Sequence, residues 1–206
     1  MDSKESKQNR INELRVKIYH TETLRDNYKN THPGLYETNS YYLEKLQSEL
    51  KELEKSCSGM VDKNQRKFSR IKIQGAVRLD FGSKKYQGSL DNLSLCGSFV
   101  KGAFKQSKGN ICKIEFKEAD SDAKIVARAI GSIVRVNKSG IAIEFIAMKT
   151  ESYHWLETEL LTKADDPSIL EDEIFQRSLF EFDNDLVYSS TFHCNKNKLR
   201  KLLNLP

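Results

Sequence analysis

The sequence lacks any long hydrophobic run, and its first ten residues, MDSKESKQNR, are polar. A membrane-spanning helix needs about 20 consecutive apolar residues, and a secretory signal peptide has an apolar segment close to its N-terminus. The sequence offers neither pattern. We therefore expect a cytoplasmic protein without a membrane span.

Cysteine and histidine are also scarce, with four of each in 206 residues. No two cysteines have the C-x-x-C spacing of zinc and redox sites. The histidines are far apart and do not form an H-E-x-x-H motif; they are His20, His32, His154 and His193. We expect reduced thiols, no disulfide framework and no metal site.

The sequence also lacks the common signatures of catalysis. It has neither a Walker-type phosphate loop nor a G-x-G-x-x-G fingerprint. His193 and Cys194 are adjacent in the chain, and such neighbours rarely form a catalytic pair. Carboxylates in the middle of the chain are scattered, so nothing predicts the two converging carboxyl groups of an acid–base site. We expect no enzymatic activity and no cofactor.

Charge is distributed unevenly along the chain. Residues 1–60 contain ten basic and ten acidic residues, residues 61–150 contain eighteen and eight, and residues 151–206 contain six and eleven. The middle therefore has a net charge of +10, although the whole chain has only +5. An anionic partner, if there is one, is expected to bind the middle region.

The N-terminal region, residues 1–60, has the pattern of two helices. A narrow apolar seam with 3-4-3-4 spacing indicates a helix that packs against another helix; it consists of Leu43, Leu46, Leu50, Leu53 and Cys57. A looser apolar stripe precedes it, and His32-Pro33-Gly34 separates the two. Two such helices need a partner for their apolar faces. The region is either a hairpin docked on the middle domain or a coiled-coil-like device for binding a protein partner or a second copy.

The middle region alternates apolar and polar residues with the period of β-strands. Turn residues separate six such runs, and no helical pattern lies between them, which is typical of an antiparallel barrel or sandwich. The predicted strands are 71–81, 86–93, 98–100, 111–116, 124–136 and 140–145. A helix follows near Tyr153 to Leu161. We place a domain at 61–163 and a helical, acidic tail at 164–206.

Two short motifs in the middle region carry chemistry suited to an anionic, purine-containing ligand. Arg66 and Arg70 form an R-x-x-x-R motif before the first strand, and guanidinium forks bind phosphate oxygens and guanine edges. Asn92, Ser94 and Gly97 form an N-x-S-x-x-G motif at the end of the second strand. Asn92 can donate and accept hydrogen bonds, Ser94 supplies a hydroxyl, and Gly97 allows a close approach or a positive φ.

In this order and context, residues 64–147 resemble a PilZ domain, the bacterial receptor module for cyclic di-GMP. The family signature is R-x-x-x-R followed by [DN]-x-S-x-x-G, and all five positions match. The resemblance implies an α+β fold with a six-stranded antiparallel PilZ-type β-barrel, flanked here by an N-terminal helical hairpin and C-terminal helices. It also implies that the two arginines lie on a loop that folds over the ligand, above Asn92, Ser94 and Gly97.

The function implied by the resemblance is that of a non-enzymatic receptor, which signals through its N-terminal helices. Two alternatives remain open. One is a small basic barrel that binds single-stranded nucleic acid through stacking aromatics such as Tyr86, Phe99 and Phe104; aromatics in strands usually belong to the core, so we do not expect nucleic acid as the partner. The other is an adaptor whose PilZ-like barrel binds no ligand.

Overall fold

A computed structural model describes residues 2–57, 68–118, 124–175 and 180–206; for residues 2–6, 8, 9, 56 and 57 it describes the backbone alone. It contains five helices and eight strands in these ranges. The helices are α1 (Asp2–Tyr28), α2 (Pro33–Cys57), α3 (Thr150–Lys163), α4 (Pro167–Phe175) and α5 (Lys196–Leu202). The strands are β1 (Gly75–Asp80), β2 (Lys85–Ser94), β3 (Gly97–Lys101), β4 (Ile111–Lys117), β5 (Ile125–Asn137), β6 (Gly140–Lys149), β7 (Phe180–Asp183) and β8 (Leu186–Ser189).

Strands β1 to β6 form a closed antiparallel barrel. The sheet order is β3-β2-β1-β4-β5-β6, and pairing of β3 with β6 closes it. Alternate side chains point into the barrel, as the period-two pattern predicted; on β1, for example, Val77 and Leu79 are almost completely buried. The six-stranded barrel and the flanking helices confirm the predicted fold class.

The tail is not only helical, and this corrects the expectation for residues 164–206. Strands β7 and β8 form a hairpin, and β8 pairs with the end of β6, where Ala147 lies opposite Tyr188. The hairpin therefore continues the barrel sheet outward.

Helix α4 begins at Pro167, where Asp166 accepts hydrogen bonds from the backbone N–H and the hydroxyl of Ser168. Asp166 therefore caps the N-terminus of α4.

Helix α1 is buried on two sides. Leu14 and Ile18 pack against Leu43 and Leu46 of α2, so the predicted leucine seam is covered within the same chain. Cys57, the last seam position, has no described side chain. The break predicted at 32–34 is present, since α1 ends at Tyr28 and α2 begins at Pro33, a favoured residue for the first helical position.

The other side of α1 lies against the barrel and the tail. Val16 and Tyr19 belong to a buried cluster with side chains of β4, β5, β6, β8, α5 and the residue that follows α5; these are Ile111, Ile130, Ile146, Ala147, Leu186, Tyr188, Leu199, Leu202 and Leu203. The tail thus holds the N-terminal hairpin on the outer surface of the barrel. Of the two sequence interpretations, the docked hairpin is the arrangement seen in the structure.

Candidate ligand site at the end of strand β2

The segment that carries the arginine motif is joined to strand β2 at the second motif. The backbone N–H of Ile71 donates to the carbonyl of Leu93 at 2.8 Å, and the N–H of Leu93 donates to the carbonyl of Ile71 at 2.9 Å. Continuing this antiparallel register places Arg70 opposite Ser94 and Lys72 opposite Asn92. One backbone bridge therefore brings the two sequence motifs together.

Of the two motif arginines, only Arg70 lies among the described residues; Arg66 lies outside them. Arg70 is exposed and makes no hydrogen bond or ion pair with any other described residue. Burial raises the pKa of the Cys96 thiol, and the positive charge of Arg70 opposes this increase. The guanidinium of Arg70 is thus close to the β2–β3 turn and available for a ligand.

Asn92 lies beside an irregularity in the pairing of β2 with β3. The register shifts between Leu90 and Asn92, which is the signature of a β-bulge at Asp91. Asn92 is half-buried, and its amide donates to the carboxylate of Asp91 at 3.3 Å. An ion pair with Lys101 lowers the pKa of Asp91, and Lys72 adds to this effect. The carbonyl oxygen of the Asn92 side chain is left to accept a further hydrogen bond.

Ser94 is engaged within the protein. It is buried, with 5% of its surface exposed, and its hydroxyl donates to the carbonyl of Gly97 at 3.1 Å. The same oxygen lies 3.6 Å from the sulfur of Cys96. The hydroxyl hydrogen of Ser94 is therefore engaged within the β2–β3 turn, and the hydroxyl oxygen can act toward a ligand as an acceptor.

Gly97 is needed for packing rather than for a positive φ. It pairs with Glu144 of β6, and a Cβ at this position would lie 2.3 Å from the carbonyl oxygen of Ile143. Such a distance is shorter than any normal contact, so only glycine lets β3 approach β6 here. Of the two possibilities raised by the sequence, close backbone approach is the one the structure uses.

A contact that the sequence did not indicate connects the arginine motif to helix α4. The backbone N–H of Ser69 donates to both carboxylate oxygens of Glu173, at 2.8 and 3.1 Å, and its hydroxyl donates to Oε1 at 2.6 Å. The two residues are 104 positions apart. No local pattern could have revealed this pairing, because it depends on the packing of α4 against the barrel.

Two of the three aromatic residues considered for nucleic-acid stacking, Tyr86 and Phe104, serve the packing of the barrel. Tyr86 and Phe104 are half-buried and pack against the barrel core. Their rings lie 5.7 Å apart, and Tyr86 is also in edge-to-face contact with Phe81. The hydroxyl of Tyr86 accepts a hydrogen bond from Gln106. These rings therefore do not form an open row of stacking surfaces.

A cavity of about 370 Å³ lies away from the motifs, between the N-terminal hairpin and the barrel. Arg15 and Tyr19 of α1 line it, together with Lys105 and Lys108 of the loop before β4. Arg15 forms an ion pair with Glu54 of α2 at 2.8 Å. The hairpin and the barrel are therefore separated by a polar cavity at this edge, whereas they are packed together around Val16.

Within ranges 2–57, 68–118, 124–175 and 180–206, no group of three or more His, Cys, Asp or Glu side chains could hold a metal ion. None of the helices in the same part of the chain is long and apolar enough to cross a bilayer.

The barrel and its two motifs define a small β-barrel module with a polar site at the end of β2. Residues 64–161 match the family model described as PilZ domain. The barrel is therefore a PilZ domain, as the two motifs predicted, and the match extends beyond residue 147 through most of α3. PilZ domains are binding and regulatory modules rather than enzymes.

Solved structures similar to this chain include a PilZ domain. The PilZ domain of CeSA from a cellulose-synthesizing bacterium is 17% identical, with 46% of this chain and 96% of that one covered and a TM-score of 0.38. The Bacillus subtilis inhibitor of motility is 11% identical, with 56% and 54% covered and a TM-score of 0.39. An uncharacterized Legionella protein is 17% identical, with 52% and 98% covered and a TM-score of 0.30.

This chain thus spans about half the length of the Bacillus protein that it resembles. Among curated proteins, none matches the sequence significantly.

Proposed function

We propose that this protein is a non-enzymatic receptor that binds cyclic di-GMP at the end of strand β2. The observation that carries the proposal is the Ile71–Leu93 bridge, which brings the arginine-bearing segment to the N-x-S-x-x-G motif. A cyclic dinucleotide has two phosphates and two guanines. These match the guanidinium groups of Arg66 and Arg70 and the amide of Asn92 in charge and in hydrogen-bonding capacity.

Each motif residue has a separate role in this proposal. Arg66 and Arg70 bind phosphates and stack on guanine, and Asn92 contacts a guanine edge. Ser94 and Gly97 shape the floor of the site, because the hydroxyl of Ser94 and the missing side chain of Gly97 hold the β2–β3 turn against β6. The basic surface of the middle region attracts the dianionic ligand over a longer range.

The binding step is tested by isothermal titration of the full chain with cyclic di-GMP. The double variant Arg66→Ala/Arg70→Ala is compared with Arg78→Ala/Arg128→Ala, which removes the same charge from β1 and β5, where both arginines pair with Glu115. We expect binding to be lost in the first variant and retained in the second. Equal weakening in both would mean that only net charge matters, which contradicts the proposed site.

We further propose that ligand binding is passed to the N-terminal hairpin. Arg66 lies shortly after the end of α2 at Cys57, so binding of the two arginines to the ligand acts on the end of that helix through the chain that joins them. The hairpin rests on the barrel through α1, beside the cavity described above. A ligand-dependent change in amide exchange of α1 and α2, or in oligomeric state, supports this relay, and no change in either contradicts it.

A further inference from the structure

The backbone N–H and the hydroxyl of Ser69 form a pair of donors that already holds an anion. Ser69 lies between Arg66 and Arg70, and both of its donors point at the carboxylate of Glu173, at 2.6 to 3.1 Å. Hydrogen bonds to an ionised acceptor are short and strong. The arginine motif therefore contains an oxyanion-binding position, and a residue of the protein itself fills it.

Glu173 is presented to this position by a helix that has little stability of its own. Helix α4 has nine residues, and an isolated helix of that length is marginal in water. Leu170 is buried in the barrel core with 1% of its surface exposed, and Ile174 packs at the edge of the core. The Ser69–Glu173 contact adds polar interactions to this docking of α4.

A carboxylate and a phosphate present similar oxygens to such donors. A phosphodiester held by Arg70 would bring its anionic oxygens to the same short segment, next to Ser69. Two anions close together repel each other and compete for the same hydrogens. The backbone N–H and the hydroxyl of Ser69 can therefore bind Glu173 or a ligand phosphate, but not both at once.

We propose that Ser69 is a further ligand-binding residue, and that Glu173 occupies its donors until a phosphate oxygen of the ligand displaces it. The inference rests on the proposed function and deepens it. Displacement frees the carboxylate and removes the polar anchor of α4. Weaker docking of helix α4 on the barrel then signals that ligand is bound, in addition to the change in the N-terminal hairpin.

The variant Glu173→Gln tests this competition, because it keeps the shape of the side chain and removes its charge. The neutral amide of Gln accepts hydrogen bonds more weakly than a carboxylate, so it competes less with the ligand for the Ser69 donors. This difference corresponds to about tenfold tighter binding of cyclic di-GMP. The matched control is Glu171→Gln, which makes the same charge change at an exposed position of the same helix. We expect tighter binding in Glu173→Gln and unchanged binding in Glu171→Gln.

Amide exchange of residues 167–175 in the unmodified protein gives a second readout, which does not depend on the folding of a variant. Saturating cyclic di-GMP is expected to speed exchange in α4. Equal or weaker binding by folded Glu173→Gln, or slower exchange of α4 with ligand, overturns the competition while leaving the receptor function in place. Absence of binding by both the unmodified protein and Glu173→Gln contradicts the proposed receptor function, and with it the role of Ser69 as a ligand-binding residue.

Discussion

Ile71 and Leu93 exchange two backbone hydrogen bonds, at 2.8 and 2.9 Å, although Ile71 lies before the first strand of the barrel and Leu93 lies in β2. This isolated bridge holds the segment after the arginine motif against the end of β2. Its antiparallel register places Arg70 opposite Ser94. The geometry of the proposed site therefore depends on two main-chain bonds as well as on the motif residues.

Replacing Ile71 with proline removes one of these two bonds, because proline has no backbone N–H. We expect cyclic di-GMP to bind about tenfold more weakly or worse, since the arginine segment is no longer fixed beside β2. The neighbouring variant Lys72→Pro, whose N–H makes no bond in this bridge, is the control. Titration calorimetry on both variants gives the comparison, and equal affinities would show that the bridge does not position the site.

Substitution of Gly97 by alanine is expected to destabilise the barrel by about 1–3 kcal/mol or more, since overpacking forces neighbouring backbone apart. The added Cβ would meet the carbonyl oxygen of Ile143 at 2.3 Å. Gly75→Ala is the control, because nothing lies within 4 Å of its added Cβ. Urea denaturation of the three proteins measures the difference. A Gly97→Ala barrel as stable as the Gly75→Ala barrel would refute the steric argument.

The tail fastens the N-terminal hairpin to the barrel through Leu199, which is completely buried in the cluster that contains Val16 and Tyr19. Leu199→Ala should lower the free energy of unfolding by about 2–4 kcal/mol through the lost packing and the cavity left behind. Lys201→Ala, at an exposed position of the same helix, should have little effect. Faster amide exchange in α1 of Leu199→Ala alone would locate the loss at this interface; unchanged exchange there would contradict it.

Burial raises the pKa of Glu22, and the charge of Arg25 opposes this only in part. A raised carboxyl pKa means that the folded protein favours the neutral form, so ionisation of Glu22 at neutral pH costs stability. Glu22→Gln should be more stable than the parent at pH 7, and this advantage should disappear as the pH falls below about 4, where the carboxyl is protonated in both states. Urea titrations at several pH values test the sign; an advantage that grows on acidification would disprove it.

The barrel was predictable from the sequence because its strands are long enough to show a period. The alternation from Ile111 to Phe116, for example, indicates a strand without any knowledge of its neighbours. Hairpin β7–β8 escaped prediction because each strand has only four residues and gains its stability by pairing with β6. The leucine seam of α2 indicated helix packing, but periodicity alone cannot distinguish a partner in the same chain from one in another.

The candidate site was predictable only as a set of residue types. The motifs identified Arg70, Asn92 and Ser94, but not that the hydroxyl of Ser94 is bonded to Gly97 inside the turn. The contact between Ser69 and Glu173 joins residues 104 positions apart. Such a contact arises from the tertiary packing of α4, which short sequence patterns do not encode.

The most direct test of the account is calorimetric titration of the unmodified full chain with cyclic di-GMP. We expect heat of binding with micromolar or tighter affinity, and the stoichiometry would show whether one dinucleotide or a stacked pair is bound. A folded protein that gives no binding would contradict the receptor function and would favour an adaptor role for the barrel.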